Sequence, residues 1–171
     1  SSAFVPIFTD VITKDEKKAR QLFASVATLL LISTGIISIG IIIFAPELVS
    51  LYASSFEKSQ EQYSLAVQLV RIMAPFLTLI SLAALVMGVL NTLKVFFMPS
   101  LAPAFFNLVM ILSIWFLPSF LEKRDLHPGL SMGLGVLFGG VIQLVIQIPF
   151  IYYKNFRPIK PGKILSKSAK K

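Results

Sequence analysis

Four uncharged apolar runs constrain this chain more than any other feature: Leu22 to Ala45, Ile72 to Val89, Leu101 to Leu117 and Leu130 to Ile151. Crossing roughly 30 Å of hydrocarbon takes about 20 mostly apolar residues, and each run reaches or nearly reaches that length. Hydrocarbon offers peptide groups no hydrogen-bond partner, so a span must satisfy its own backbone, and these runs are too long for barrel strands. The expected fold class is therefore all-α integral membrane, a polytopic transmembrane helix bundle.

The remainder of the composition agrees. Hydrophobic residues make up 56% of the chain and charged residues only 14%, with the charges confined to short segments. A soluble domain needs a polar exterior along each element, and this chain has none. A formal net charge of +8 raises the question of nucleic acid, but seven of the sixteen basic residues lie between Lys154 and Lys171. That clustering suits a membrane surface, with the phospholipid bilayer and not nucleic acid as partner.

The expected organisation is a transmembrane bundle over residues 1–153 and a basic cytoplasmic tail or loop over 154–171, with spans at about 20–46, 64–92, 100–118 and 130–153. A partial helix occupies 1–13, since Ala3 to Ile12 is apolar but too short to cross. With Ser in place of Met at position 1, a fragment of a longer protein is expected. If the segment from Thr13 to Arg20 is cytoplasmic, four crossings put twelve of the sixteen Lys and Arg residues on that side, including Lys14, Lys17, Lys18, Arg20 and Lys94. Lys58, Arg71, Lys123 and Arg124 remain outside, a clear positive-inside bias.

Several polar or helix-breaking residues fall in or beside the spans. Ser131, Gly135, Gly139, Gln143 and Gln147 follow one another at four-residue intervals, a ridge that drifts around the helix by about 40° per step. Ser131, Gly135 and Gly139 permit close helix packing. Gln143 and Gln147 carry amides too costly to face lipid, and two readings stand for them, a polar cavity or an interhelical hydrogen bond. Pro75, Pro99, Pro103 and Pro149 each remove a backbone donor, so Pro75, Pro103 and Pro149 are expected to kink their helices, either passively or as part of a conformational change. Arg71 opens its span as a snorkelling anchor or as an anion contact at the outer mouth. Asn91 and Asn107 are single amides suited to bonding between helices, and Asn107 is also a cavity candidate.

No catalytic constellation can be assembled. The one histidine, His127, sits in a charged turn beside Pro128, no cysteine occurs, and no glycine-rich phosphate loop is present. The chain reads as no enzyme, with no catalytic or metal residues and no cofactor.

With the spans placed, the wording becomes recognisable. Ser2 to Ile7 (SAFVPI), Leu69 to Phe76 (LVRIMAPF) leading to Leu90, Asn91 and Thr92, Met98 to Asn107 (MPSLAPAFFN) and Gly139 to Pro149 (GGVIQLVIQIP) run in order along nearly the whole chain. Together they resemble the MurJ (MviN) family of bacterial lipid II flippases, in the MOP exporter superfamily. The resemblance implies a MOP-type (MATE-like) transporter, with this chain running from the end of its second helix through the sixth, part of the N-terminal lobe. It also implies transport of undecaprenyl-pyrophosphate-linked peptidoglycan precursor across the bacterial cytoplasmic membrane by alternating access. Coupling would come from an ion gradient or the membrane potential, and the remaining helices of the full-length transporter would be partners. The arginines the family uses on the pyrophosphate belong to helices outside this segment, so none is assigned here. The rival readings are another exporter of the same superfamily, carrying a lipid-linked polysaccharide or a drug, and a membrane scaffold that transports nothing.

Overall fold

A computed structural model describes residues 4–52 and 59–156. Among them are helices α1 (Phe4–Lys14), α2 (Glu16–Ile43), α3 (Ala45–Tyr52), α4 (Gln60–Met73), α5 (Phe76–Thr92), α6 (Phe97–Glu122), α7 (Leu130–Val145) and α8 (Ile148–Tyr153). Among the described residues, four stretches are long and apolar enough to cross a membrane: Glu16–Ile43, Gln60–Thr92, Phe97–Glu122 and Leu130–Tyr153. The second and fourth are each two helices in line, α4 with α5 and α7 with α8. The basic segment expected over 154–171 lies outside the described residues except for Lys154, Asn155 and Phe156.

Local chemistry explains where the helices start and stop. The connection expected from Thr13 to Arg20 shrinks to the single residue Asp15, whose extended backbone (φ −158°) ends α1 and whose carboxylate caps α2 by accepting the Lys18 N–H at 3.1 Å. That hydrogen bond, with the Lys18 charge, holds the Asp15 carboxyl below the ordinary aspartate range. Pro75 has no N–H for the Arg71 carbonyl, so α4 stops at Met73, and Leu77 and Thr78 reach back only three residues, to Ala74 and Pro75.

Proline does not break every helix it enters. The third span was expected to run from 100 to 118, yet α6 begins at Phe97 and continues through Pro103 and Pro118 to Glu122. Pro99 sits in the first turn, where its missing N–H had no intrahelical partner to lose. Pro103 and Pro118 each remove one backbone donor, yet the 26-residue helix continues past both. Pro149 follows a different course: it cannot serve the Val145 carbonyl, and α7 ends there.

α7 is the hub of the bundle. Its most extensive contact is with α6, and it also packs on α4 and α5. Glycines make this approach possible in two directions. A methyl group at Gly135 would lie 3.0 Å from Ser113 and 3.1 Å from Met110, and one at Gly139 would come within 2.6 Å of Phe106, all on α6. Gly133 presses instead on Leu69 and Ile72 of α4, and Gly140 on Phe76 and Leu79 of α5. In lipid, where apolar side chains gain nothing by leaving one apolar medium for another, such close backbone approach is what holds helices together.

The basic end is closed by an apolar cluster in which Phe8 of α1, Ala19 and Phe23 of α2, Val89 and Leu90 of α5, Ile151 of α8 and Phe156 are buried. Phe156 stacks edge-on against Phe8 and Phe23 at 5.8 and 6.0 Å. Arg20 covers the same ring at 5.7 Å, pairs with Glu16 and donates to the Asn155 carbonyl at 2.7 Å, which ties the end of α8 to the start of α2. Broad apolar faces remain exposed, among them Leu29, Ile32 and Ile36 of α2 and Trp115 and Phe116 of α6.

Candidate functional site

Polar groups inside a membrane span must face protein or water, so their positions decide which faces of the bundle lipid can cover. α4 carries the clearest such face. Ser64, Gln68 and Arg71 follow at helical spacing and are all exposed, and Gln68 Nε2 donates to Ser64 Oγ at 3.3 Å. A concavity of about 240 Å³ runs along them, bounded by Pro46 and Tyr63. A neighbouring one of about 570 Å³ is lined by Gln60, Glu61, Ser64, Gln68 and His127.

Tyr63 closes the back of this region. Its hydroxyl donates to the Pro46 carbonyl at 3.1 Å and lies 3.3 Å from Ser50 Oγ, folding α3 against α4. Arg71 Nε donates to the Ile42 carbonyl at 3.3 Å. Ile42 belongs to the last turn of α2, at the negative end of the helix dipole, and the residue four positions on is Pro46, which has no N–H to serve its carbonyl. Arg71 therefore ties α4 to α2 through one nitrogen, and among the described residues its terminal guanidinium nitrogens have no ion-pair partner.

The other amides divide. Asn107 is exposed on α6, on the flank that also presents Ser100, Pro103 and Ala104. Gln143 and Gln147, offered from the sequence as cavity residues, are 6% and 0% exposed and line neither concavity. Gln147 bonds within its own helix: its backbone N–H turns to the Leu144 carbonyl at 3.2 Å, and its side-chain Nε2 takes over the Gln143 carbonyl at 2.7 Å. The amide thus repairs the backbone bond lost at the α7 to α8 break. Its Oε1 is buried without a hydrogen-bond partner.

Of the packing residues, Ser131 is buried at the start of α7, and Gly135 and Gly139 face α6. Pro75 stands between α4 and α5, Pro103 lies within α6, and Pro149 is in the first turn of α8. Sequence reasoning missed Ser64 and Gln68, which lie within the expected span but before the uncharged apolar run that begins at Ile72. It missed Gly133 and Gly140 because both fall outside the four-residue spacing that starts at Ser131. It also missed Ser38 of α2, which donates to the Ala74 carbonyl at 2.9 Å and approaches Thr78 at 3.4 Å. The proline at 75 was the available signal, since a break there changes which donors reach the carbonyls beside it.

Four helical stretches long and apolar enough to cross a membrane, two of them broken in mid-course, define a segment of a multi-pass membrane protein. A family model described as lipid II flippase MurJ matches residues 1–171, and the chain belongs to that family. It is 34% identical to the probable lipid II flippase MurJ of Treponema pallidum over 92% of this chain. It is 33% identical to lipid II flippase MurJ of Burkholderia cenocepacia over 93% of the chain, and 34% identical to the probable lipid II flippase MurJ of Borreliella burgdorferi over 85%. The matches span 29%, 30% and 27% of those relatives, so the chain covers less than a third of their length. Proteins so named are transporters, not enzymes.

Proposed function

We propose that this chain forms one wall of a lipid II flippase, a transporter that carries undecaprenyl-pyrophosphate-linked peptidoglycan precursor across the bacterial cytoplasmic membrane for cell wall synthesis. The family match along the whole chain carries this reading. Exposed polar groups support it from the physics: Ser64, Gln68 and Arg71 along α4, and separately Asn107 on α6, would be costly against acyl chains and suit water-lined surfaces of a transporter. The remaining helices of the full-length protein close that cavity and supply the cationic groups for the pyrophosphate.

In this reading the end bearing Lys14, Lys17, Lys18, Lys94 and Lys154 is cytoplasmic, and Arg71 stands towards the periplasmic mouth. The breaks at Pro75 and Gln147 let each long span bend as the lobe changes between inward-open and outward-open states. Transport is coupled to an ion gradient or the membrane potential.

A full-length protein carrying this segment is expected to restore wall synthesis in bacteria depleted of their own flippase. Replacing Ser64, Gln68 and Arg71 together by leucine should abolish rescue while membrane insertion persists. Rescue by the leucine variant would reject the wet-face assignment, and failure of the unaltered protein to rescue despite normal insertion would reject the flippase reading itself.

A further inference from the structure

We propose that the basic end of the bundle holds a site for an anionic glycerophospholipid, its phosphodiester between Lys94 and Lys154 and an acyl chain along Phe96, Phe97 and Tyr153. A concavity of about 390 Å³ opens here, lined by Lys94, Val95, Phe96 and Phe97 from the α5 to α6 turn and by Phe150, Tyr153 and Lys154 from the end of α8. Its depth follows from the spans it joins: one ends at Thr92, the next begins at Phe97, and the last ends at Tyr153. The concavity therefore sits at the boundary between hydrocarbon and headgroups, the level at which aromatic side chains and lysines collect.

Its charge is of one sign. No carboxylate lines it, and among the described residues neither lysine has an ion-pair partner. The uncapped first turn of α6 adds the positive end of a 26-residue helix at the same place. Both lysines sit on turns closed by backbone hydrogen bonds, Val95 N–H to Leu90 C=O and Phe156 N–H to Ile151 C=O. Lys94 takes the left-handed conformation (φ 59°) that glycine would adopt at less cost, inside a turn closed by Val95 N–H to Leu90 C=O at 2.9 Å. Lys154 precedes Asn155, also left-handed (φ 54°), and Phe156 anchors that turn in the buried aromatic cluster.

The wall selects a lipid over a free anion. Phe96, Phe97 and Tyr153 are 59%, 76% and 79% exposed around a cationic mouth, an arrangement unfavourable in water and of no use to a hydrated phosphate. An amphiphile with a phosphodiester next to an acyl chain satisfies both halves, as basic pockets between spans do for anionic headgroups. The site lies at the opposite end from Arg71 and its concavity, and stands independently of the transported substrate.

The test uses the full-length protein in nanodiscs, with a benzophenone amino acid replacing Phe97 and lipid adducts read by mass spectrometry. In phosphatidylcholine discs containing phosphatidylglycerol as the minor lipid, phosphatidylglycerol adducts should exceed its share of the bilayer. The same probe at Trp115 should follow the bulk composition. Lys94→Gln and Lys154→Gln should each lower the enrichment by about fivefold, and Lys→Arg at either position should preserve it. Adducts at position 97 that match bulk composition, or enrichment indifferent to both lysines, would overturn the proposal. Loss of enrichment on adding inorganic phosphate at constant ionic strength would assign the pocket to a free anion instead.

Discussion

Ser38 Oγ in α2 donates to the Ala74 carbonyl at 2.9 Å, joining the middle of one span to the break in the next. Ser38 is 5% exposed, and Ala74 is the residue just before Pro75. Thr78, which would serve that carbonyl in an unbroken helix, bonds Pro75 instead, and the carbonyl takes a three-residue bond from the Leu77 N–H at 3.2 Å. Ser38→Ala should therefore lower the thermal stability of the detergent-solubilised protein by about 0.5 to 1.5 kcal/mol, the range for interhelical bonds in membranes. In a Pro75→Ala background, where Thr78 can return to Ala74, the same change should cost distinctly less. Equal costs in both backgrounds would separate Ser38 from the break.

Gly139 and Gly35 make opposite predictions although both lie within apolar helices. A methyl at Gly139 would meet the Phe106 ring at 2.6 Å and its carbonyl at 3.2 Å, whereas nothing lies within 4 Å of one at Gly35. Gly139→Ala should push α6 from α7 and destabilise by about 1 to 3 kcal/mol. Gly35→Ala should be neutral in packing and favourable by up to about 1 kcal/mol through helix propensity. Thermal unfolding of the two variants side by side checks the difference.

Gln147 tests the cost of a half-satisfied amide. Its Nε2 restores a helix bond to Gln143, but its Oε1 has no partner. Gln147→Met, of similar volume, gives up one bond and removes one orphaned acceptor, so stability should change by less than about 1 kcal/mol. Gln147→Glu brings an ionisable group into a fully buried position and should destabilise strongly at neutral pH, with partial recovery on acidification as the carboxyl becomes neutral. A tolerant Glu variant would mean that water reaches this break.

Asp15 supplies the pH dependence. Its carboxyl is held low mainly by the Lys18 N–H, so its contribution to the α2 cap is present above the ordinary aspartate range and is lost as pH falls through the depressed folded value. Hydrogen exchange at the Lys18 amide should accelerate, relative to the intrinsic rate, only below that range. In Asp15→Asn the amide oxygen accepts the same bond at every pH, and the acid-dependent step should vanish.

The membrane-spanning helices were legible in the sequence because a crossing is an unbroken composition that any reading frame along the chain reveals. Helix ends were less so: Asp15 alone does what eight residues were assigned to, and α6 outruns Pro118 because one lost donor is a small part of the bonds in a 26-residue helix. Family membership was also legible, since it rests on the order of residues.

The faces were not. Whether Gln147 meets water, lipid or its own backbone depends on the rotation of α7 against three neighbours, and no periodicity within one helix contains that angle. Ser38 is one of several hydroxyls in an apolar run until the break at Pro75 brings the Ala74 carbonyl to it. Hydrocarbon requires every span to be a helix whatever surrounds it, so the sequence alone determines the number of crossings and their secondary structure. Only the packing of the helices against one another decides which polar groups are enclosed, as at Gln143 and Gln147, and which stay open, as at Ser64, Gln68, Arg71 and Asn107.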